Sequence, residues 1–171
     1  MHVFQDMPAE LIELDPFTRF GTEWALLTSE KNGKANAMTI SWGAMGVLFN
    51  KNIVTVFVRD SRYTKEFIDD SGIFSVSFFR GKEMNALKYF GMVSGRDEDK
   101  FAATRFNVNY HKGIPFIDEA SFVIVCKVIA KHRMSGEDFL DPKIKEQFYS
   151  GADVNNMHTI YVGEIVEFLA R

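Results

Sequence analysis

Between residues 24 and 42 the chain reads Trp24-Ala-Leu-Leu-Thr-Ser29, then Lys31-Asn-Gly-Lys34, then Asn36-Ala-Met-Thr-Ile-Ser-Trp42. The first and third segments are apolar enough to form strands. The Asn-Gly pair between them tolerates the positive φ angles of a tight turn. The pattern therefore predicts an antiparallel hairpin. Because these strands pair through a tight turn, the chain is not a series of βαβ units.

The remaining apolar runs predict further strands and short helices. Strands are expected at Asn52–Val58, buried on both faces, and at Ile73–Phe79, Ala120–Met134 and His158–Leu169, while Gly43–Gly46 bends the chain before Val47–Phe49 continues it. Helices are expected at Tyr63–Asp70 before Gly72, at Glu83–Phe90 before Gly91 and at Glu98–Phe106 after Asp97, with a helix or loop at Asp141–Ser150. Six or seven strands with three or four small helices predict a mainly β protein, a closed or half-closed antiparallel barrel of Greek-key type.

Length and composition indicate one globular domain over residues 1–171, with residues 1–21 as an amino-terminal arm. A net charge of -3 argues against a non-specific binder of nucleic acid. The single Cys126 has no partner for an internal disulfide, and no Cys/His spacing indicates a metal site. No signal pattern and no membrane-spanning apolar run occurs, so we expect a cytoplasmic protein. The 17 phenylalanines fit a β-rich core first, and a pocket wall or subunit interface second.

The corner Arg59-Asp-Ser-Arg-Tyr-Thr64 joins a predicted buried strand to a predicted helix. A helix amino terminus presents free backbone N–H groups, and Arg59 and Arg62 add two guanidinium groups that match phosphate oxygens. Ser61 and Thr64 are able to cap the helix or to donate hydrogen bonds outward. An anion site and a capped helix with two solvated arginines explain these residues equally well.

The predicted strand 36–42 has one face of small and hydroxyl side chains, Ala37, Thr39 and Ser41. Such a face lets a flat ligand lie close to the backbone. From the residues alone, an edge strand with a polar side toward water is the better explanation.

Two further segments carry candidate binding groups. Ser94-Gly-Arg-Asp-Glu-Asp-Lys100 places a flexible turn and two cations before a predicted helix, as a second wall of a phosphate site or as a solvated charged loop. His158 opens the last strand, where it either contacts a ligand or caps the strand end. No Walker motif, Gly-x-Gly-x-x-Gly loop or nucleophile elbow occurs, so the residues define no certain catalytic group.

Four segments in order resemble the flavin reductase-like proteins, in particular the flavoredoxin branch. They are the strand 36–42, the corner 59–64, Ser94-Gly-Arg-Asp-Glu-Asp-Lys-Phe101 and His158-Thr-Ile-Tyr-Val-Gly-Glu-Ile165. The resemblance implies a split barrel that binds FMN without a covalent bond and forms a homodimer, with the flavin near the subunit interface.

The resemblance also implies a role for each matching position. The residues along the isoalloxazine ring would be Asn36, Ala37, Met38, Thr39, Ile40, Ser41 and Trp42. The phosphate would be held by the corner residues Arg59, Ser61, Arg62, Tyr63 and Thr64, with Ser94, Gly95 and Lys100 closing over the ribityl-phosphate end. His158 would approach the flavin or a nicotinamide ring. A backbone N–H near Thr39 or Ser41 would face flavin N5.

The expected function is an oxidoreductase in which NAD(P)H passes a hydride to FMN and the flavin hands electrons onward. The first alternative is an FMN-binding electron carrier or flavin-storage protein without NAD(P)H activity. The second is a flavin-free split-barrel interaction module. Flavin and nicotinamide nucleotides are the expected partners, and neither nucleic acid nor membrane is.

Overall fold

The fold is known from a computed structural model, which describes residues 1–81 and 83–171. The strands of these residues are β1 (Gln5–Asp6), β2 (Ala25–Lys31), β3 (Lys34–Ile40), β4 (Gly43–Leu48), β5 (Lys51–Arg59), β6 (Ile73–Phe78), β7 (Val108–His111), β8 (Ile114–Ile117), β9 (Phe122–Arg133) and β10 (His158–Ala170). The helices are α1 (Pro16–Gly21), α2 (Tyr63–Ser71), α3 (Met84–Met92), α4 (Lys100–Thr104) and α5 (Pro142–Phe148). The pairings between strands are antiparallel, so the predicted fold class is confirmed.

The predicted hairpin is the pair β2 and β3. Its turn residues Asn32 and Gly33 have φ angles of 52° and 74°. Positive φ at both central positions is the type I′ geometry that matches the twist of the two strands. The register places Leu27 opposite Met38. The local chemistry of the turn therefore sets the pairing at the start of the sheet.

The main sheet has the strand order β3-β2-β6-β9-β10-β5-β4, with β1 added beside β10. β3 and β4 lie at opposite ends of this order, yet only Ser41 and Trp42 separate them in the chain. Three consecutive Cα–Cα steps span at most ~11 Å, so the two edges must lie close together. The sheet is thus curled into a barrel that stays unpaired between β3 and β4, which is the split of a split barrel.

Two buried clusters lie on the two faces of this curled sheet. The inner cluster includes Leu27, Met38, Val56, Phe74 and Tyr161 from five different strands. The outer cluster contains Leu26, Ala37, Phe79, Leu87, Phe90, Phe116 and Val125, and α3 and the β7–β8 hairpin supply its covering side chains. Strand residues supply most of these side chains, and several of them are phenylalanines, as a β-rich core requires.

Several predicted boundaries are wrong. The segment after Gly43 is not a bend but the edge strand β4, where Gly43 lets the ring of Phe20 approach: an added Cβ would lie 2.6 Å from it. α3 runs past Gly91 to Met92. α4 starts after Asp99, whose side chain accepts the N–H groups of residues 101 and 102, so Asp99 and not Asp97 is the cap.

Other predictions about the helices and strands are confirmed or refined. α2 ends at Gly72, whose φ of 67° places it in the left-handed region, as expected. β9 is long and irregular, with register shifts against β10. β5 is not buried on both faces throughout, because Thr55 and Phe57 remain partly exposed. No helix of the described residues is long and apolar enough to cross a membrane.

Candidate functional site

A cavity of about 280 Å³ opens where the edges of β3 and β4 separate, and we call it the cleft. Its lining residues come from the end of β3, the link to β4, the end of β5, the end of α5 and the start of β10: Met38, Thr39, Ile40, Ser41, Trp42, Phe57, Arg59, Arg62, Phe148 and His158. The split in the barrel therefore produces the cavity. Aromatic rings are prominent in its wall.

A smaller cavity of about 100 Å³, the corner pocket, adjoins the cleft and shares Met38 and Arg62 with it. It brings together most of the predicted binding residues: Asn36, Met38, Ser61, Arg62, Tyr63, Thr64, Ser94, Gly95 and Lys100. A third cavity of about 330 Å³, the outer pocket, shares Thr39, Ser41 and Arg62 with the cleft. Arg62 thus lies at the junction of all three.

Lys100 is a buried cation in the corner pocket. Only 4% of its surface is exposed, and its ammonium donates to the carbonyl oxygens of Ala37 and Phe90. Burial and the nearby charge of Arg62 lower the pKa of Lys100 to about 8. Among the described residues no carboxylate forms an ion pair with it. Buried charges are normally paired, so Lys100 carries a charge that lacks its counter-ion.

Arg62 is the second cation of the corner pocket. It is half-buried, and its Nη1 donates to the carbonyl oxygen of Gly91 at 2.7 Å. Burial and then the charge of Arg59 lower the pKa of the Arg62 guanidinium. Within the described part of the chain it has no carboxylate partner either. Its other N–H donors stay available to a ligand.

The first turn of α2 borders the same pocket. Arg62 is the amino-terminal cap residue, and no side chain caps the helix. Thr64 instead accepts a hydrogen bond from the Asn36 amide at 2.8 Å, and the Ser61 N–H donates to the Asn156 side chain at 3.0 Å. The possibility that Ser61 or Thr64 caps α2 is therefore wrong. The helix keeps the positive end of its dipole uncapped at the pocket.

The turn at Ser94 and Gly95 closes the corner pocket from the other side. A Cβ atom on Gly95 would lie 2.1 Å from Asn36 Oδ1 and 3.3 Å from the ring of Tyr63. Only glycine therefore allows this turn to pack on β3 and α2. The close approach explains how Ser94 and Gly95 reach the part of the pocket that β3 and α2 build.

The small-residue face of strand 36–42 is only partly open. Ala37 is fully buried in the outer cluster, and the hydroxyl of Thr39 donates to the carbonyl of Leu87 in α3. On the opposite face, Met38 and Ile40 belong to the inner cluster. β3 ends at Ile40, so Ser41 and Trp42 lie in the link to β4. The accessible part of this stretch is its carboxyl-terminal end.

His158 is buried beside the cleft. Its Nδ1 lies 2.6 Å from the hydroxyl of Tyr149, and its ring lies 5.2 Å from the ring of Trp42. Burial, followed by the charges of Arg59 and Arg62, lowers the pKa of His158 to about 4. The imidazole is therefore neutral at pH 7 and forms part of the cleft wall.

Arg59 points away from the corner pocket. Its Nη2 donates to the carbonyl of Phe148 at 3.0 Å and its Nη1 to the carbonyl of Asn156 at 3.1 Å. An ion pair with Asp153 at 3.5 Å and a position over the Tyr149 ring complete its contacts. Unlike Arg62, Arg59 already has a carboxylate partner.

Sequence reasoning did not single out three lining residues, Phe57, Leu87 and Phe148, nor Tyr149, whose hydroxyl contacts His158. Phe148 and Tyr149 lie in a segment expected only to be a helix or loop. They reach the site because β9 and β10 are paired neighbours whose connection returns over the cleft. No short motif encodes such a contact.

A comparison with known families matches residues 17–171 to the flavin reductase like domain. Among curated proteins, the uncharacterized protein YddH of Escherichia coli (strain K12) is 37% identical over 78 residues. That match spans 44% of this chain and 41% of YddH, less than half of either protein.

Two solved structures illustrate the similarity in fold. Flavoredoxin from Methanosarcina acetivorans is 28% identical with a TM-score of 0.67, over 87% of this chain and 68% of the other. An FMN-binding domain of a flavin reductases-like enzyme from Shewanella baltica OS155 is 20% identical with a TM-score of 0.67, over 99% of this chain and 79% of the other.

Proposed function

This chain belongs to the flavin reductase like domain family, and we propose that it binds FMN non-covalently and carries electrons from a reduced nicotinamide nucleotide through it to an acceptor. The observation that carries the proposal is the pair of cations Arg62 and Lys100 in the corner pocket, which lack carboxylate partners among the described residues.

A phosphate group supplies what this pair lacks. Its two negative charges compensate two buried or half-buried cations, and its oxygens accept from the Arg62 fork, the Lys100 ammonium and the uncapped first turn of α2. Ser61, Tyr63, Thr64, Ser94 and Gly95 line the remaining wall. This is the reason for preferring FMN to a flavin without phosphate.

The cleft is the proposed place of the isoalloxazine ring. It adjoins the corner pocket, and its wall contains the rings of Trp42, Phe57, Phe148 and His158. We assign the ring-binding role to residues 36–42, and the accessible end of this stretch, Ser41 and Trp42 in the link to β4, lies at the cleft. Polar backbone groups at that end are the candidates for hydrogen bonds to the ring edge.

The residues of this chain would bind FMN, orient its ring and shield that ring from water. FMN, when bound, supplies the redox chemistry by accepting a hydride and releasing electrons. Arg62 and Lys100 anchor the phosphate end, Trp42 and Phe148 exclude water from the ring, and His158 stays neutral. The outer pocket, which has Trp24 and Lys88 in its wall, gives a nicotinamide nucleotide room beside the cleft. Rate then depends on holding two rings in near contact.

The test starts with the absorption spectrum of the purified protein and with NADH and NADPH oxidation measured with and without added FMN. We expect a flavin spectrum or saturable FMN binding, together with oxidation that depends on FMN. A protein that neither binds FMN nor oxidises either nucleotide contradicts the proposal. Flavin binding without nucleotide oxidation supports the alternative of an electron carrier, a role in keeping with the similarity to a flavoredoxin.

We also propose that the protein is a homodimer that uses the free edge of β4. Val47 is 72% exposed and Phe49 is 69% exposed, and Phe49 holds a φ of 52°, which is costly for a bulky side chain. An exposed apolar edge strand is normally covered. A second copy on this edge would also approach Trp42, which directly precedes β4.

Light scattering on a size-exclusion column tests the dimer. We expect the wild type to elute as a dimer, and Val47→Thr with Phe49→Asn to shift it toward the monomer because the apolar contact is lost. Asparagine also suits the positive φ, so the variant should fold at least as well. A wild-type monomer at micromolar concentration contradicts this part of the proposal.

A further inference from the structure

We propose that Arg59 is a positioning residue that holds the connection between β9 and β10, residues 134–157, as the outer wall of the cleft, and that it does not bind the phosphate. We call these residues the connecting segment. The inference rests on the proposed FMN site, because it assigns different roles to the cations of that site. Arg59 would affect binding of the flavin ring through the cleft wall, whereas Arg62 and Lys100 would bind the phosphate.

The contacts of Arg59 go to one place. Both terminal nitrogens donate to backbone carbonyls of the connecting segment, at Phe148 and Asn156. The ion pair to Asp153 and the stacking on Tyr149 involve the same segment. A guanidinium that spreads over two carbonyls eight residues apart fixes the path of the chain between them.

Apart from the contacts of Arg59, the connecting segment is attached to the barrel at its two ends, where the Met134 N–H donates to the carbonyl of His158 and the carbonyl of Met157 accepts from the Asp60 N–H. α5, its helix, contains no buried residue, and Leu140 is 97% exposed. Between its ends the segment is linked to the site by the edge contact of Phe148 with Trp42, the Tyr149–His158 hydrogen bond and the Asn156–Ser61 hydrogen bond. Phe148 lines the cleft, so the outer wall depends on how this segment is held.

Charge separates Arg59 from its neighbour Arg62. Arg59 is compensated by Asp153, so a phosphate would have to compete with an existing carboxylate and two existing carbonyl bonds. Arg62 has one carbonyl bond and no such carboxylate in the described chain. The same residue type, three positions apart, therefore does two different jobs.

The discriminating experiment compares two ligands, FMN and riboflavin, which differ by the phosphate. Dissociation constants are measured by flavin fluorescence for the wild type, Arg59→Ala, Arg59→Lys and Arg62→Ala. We expect Arg59→Ala to weaken both ligands by a similar factor, at least about tenfold. Arg62→Ala should weaken FMN by at least about tenfold and riboflavin by less than about twofold.

The variant Arg59→Lys, which keeps the positive charge, tests whether the role of Arg59 depends on the several donors of the guanidinium group or on its charge alone. Lysine keeps a positive charge but bonds poorly to two separated carbonyls, so Arg59→Lys should resemble Arg59→Ala. Arg133→Ala is the matched control: Arg133 ends β9, and among the described residues its side chain forms an ion pair with Asp60 at the surface. It should leave both dissociation constants within about twofold.

Limited trypsin digestion measures directly how firmly the connecting segment is held. Lys143 and Lys145 are exposed in α5, and cleavage after them should accelerate several-fold in both Arg59 variants but not in Arg133→Ala. If Arg59→Ala does not fold, Phe148→Ala removes the wall while it keeps the polar contacts, and it should also weaken FMN and riboflavin equally.

Three results overturn the inference, and the first two would each make Arg59 a phosphate ligand. One is restoration of FMN binding by Arg59→Lys, and another is a loss confined to FMN in Arg59→Ala. The third is unchanged binding of both ligands in Arg59→Ala. A wild-type protein that binds neither flavin refutes the proposed function instead, so the two failures are distinct.

Discussion

The two ends of α2 handle charge in opposite ways. At its start, Arg62 and the nearby Lys100 carry positive charges that no described carboxylate compensates. Toward its end, Asp69 accepts from Lys65, Lys131 and Tyr161, each at 2.8–2.9 Å. Burial alone would raise the pKa of Asp69, but these hydrogen bonds outweigh it and leave the pKa at about 2.

Within one nine-residue helix, the charge at one end stabilises the fold, and the charge at the other end is available to a ligand. A satisfied charge stabilises the fold, and removing its partners costs stability. An unsatisfied buried charge weakens the fold and is retained where a ligand supplies the missing charge. If this comparison holds, substitutions at the first end should change ligand affinity without loss of stability, and those at the second end should do the reverse.

The largest expected effect is on FMN affinity. The double variant Arg62→Ala with Lys100→Met should lose about 3 kcal/mol or more of FMN binding, because two charge-assisted contacts to phosphate disappear. Its free energy of unfolding without flavin should stay equal or rise, since an uncompensated charge leaves the interior. Titration calorimetry and urea unfolding measure the two quantities. A loss of stability with unchanged FMN affinity would show that Arg62 and Lys100 stabilise the fold and do not bind the ligand.

The next effect is on stability. Asp69→Asn should lower the free energy of unfolding by roughly 1–2 kcal/mol, a value reduced because the carboxylate is partly exposed. Urea unfolding at pH 7 gives the value, and Asp70→Asn on the same helix is the matched control. FMN affinity should stay within about twofold of the wild type. A large loss of FMN affinity in Asp69→Asn would show that the two ends are not independent.

The smallest expected effect is the pH dependence of FMN binding. The pKa of Lys100 is about 8 in the free protein, and a bound phosphate should raise it by favouring the charged form. FMN affinity should therefore fall as pH rises through 8, by about tenfold between pH 7 and pH 9 if the bound lysine stays protonated. Above pH 7 the phosphate monoester is already close to fully charged, so it adds little of its own.

Two controls isolate the lysine in that titration. Lys100→Met should bind FMN with an affinity that no longer changes between pH 7 and pH 9. Riboflavin, which has no phosphate, should show no such change with the wild-type protein. A wild-type FMN affinity that is flat over this range would mean that Lys100 is not a phosphate contact.

Some of the fold followed from local chemistry that a sequence displays. The Asn32-Gly33 turn and the Gly72 helix end depend on backbone angles that few residues tolerate, and both were predicted. The β7–β8 hairpin was missed although Gly113, at a φ of 78°, marks its turn. Pro115 lies inside β8 and weakens the strand pattern there.

The family resemblance assigns Arg62, Lys100 and Gly95 to one binding site, and the structure brings these three residues to one pocket, while their role in binding stays a prediction. Neither the resemblance nor the sequence pattern could indicate that Ala37 would be covered by α3, because that depends on how a later helix packs across β3. The resemblance implies that Arg59 holds the phosphate, which stays a prediction, and local sequence did not indicate its hydrogen bonds to Phe148 and Asn156, 89 and 97 positions along the chain.

By itself the sequence determined the antiparallel hairpin, the class of fold and the residue types available at the corner 59–64, because these depend on neighbours within a few positions. Only the tertiary structure decided which charges are compensated. Arg59 meets Asp153, and Asp69 meets Lys131, through contacts that form when β5, β9 and β10 pair and curl. Among the residues that the structure describes, Arg62 and Lys100 meet no carboxylate, and such an unsatisfied charge is recognisable only from the neighbours of each cation in space.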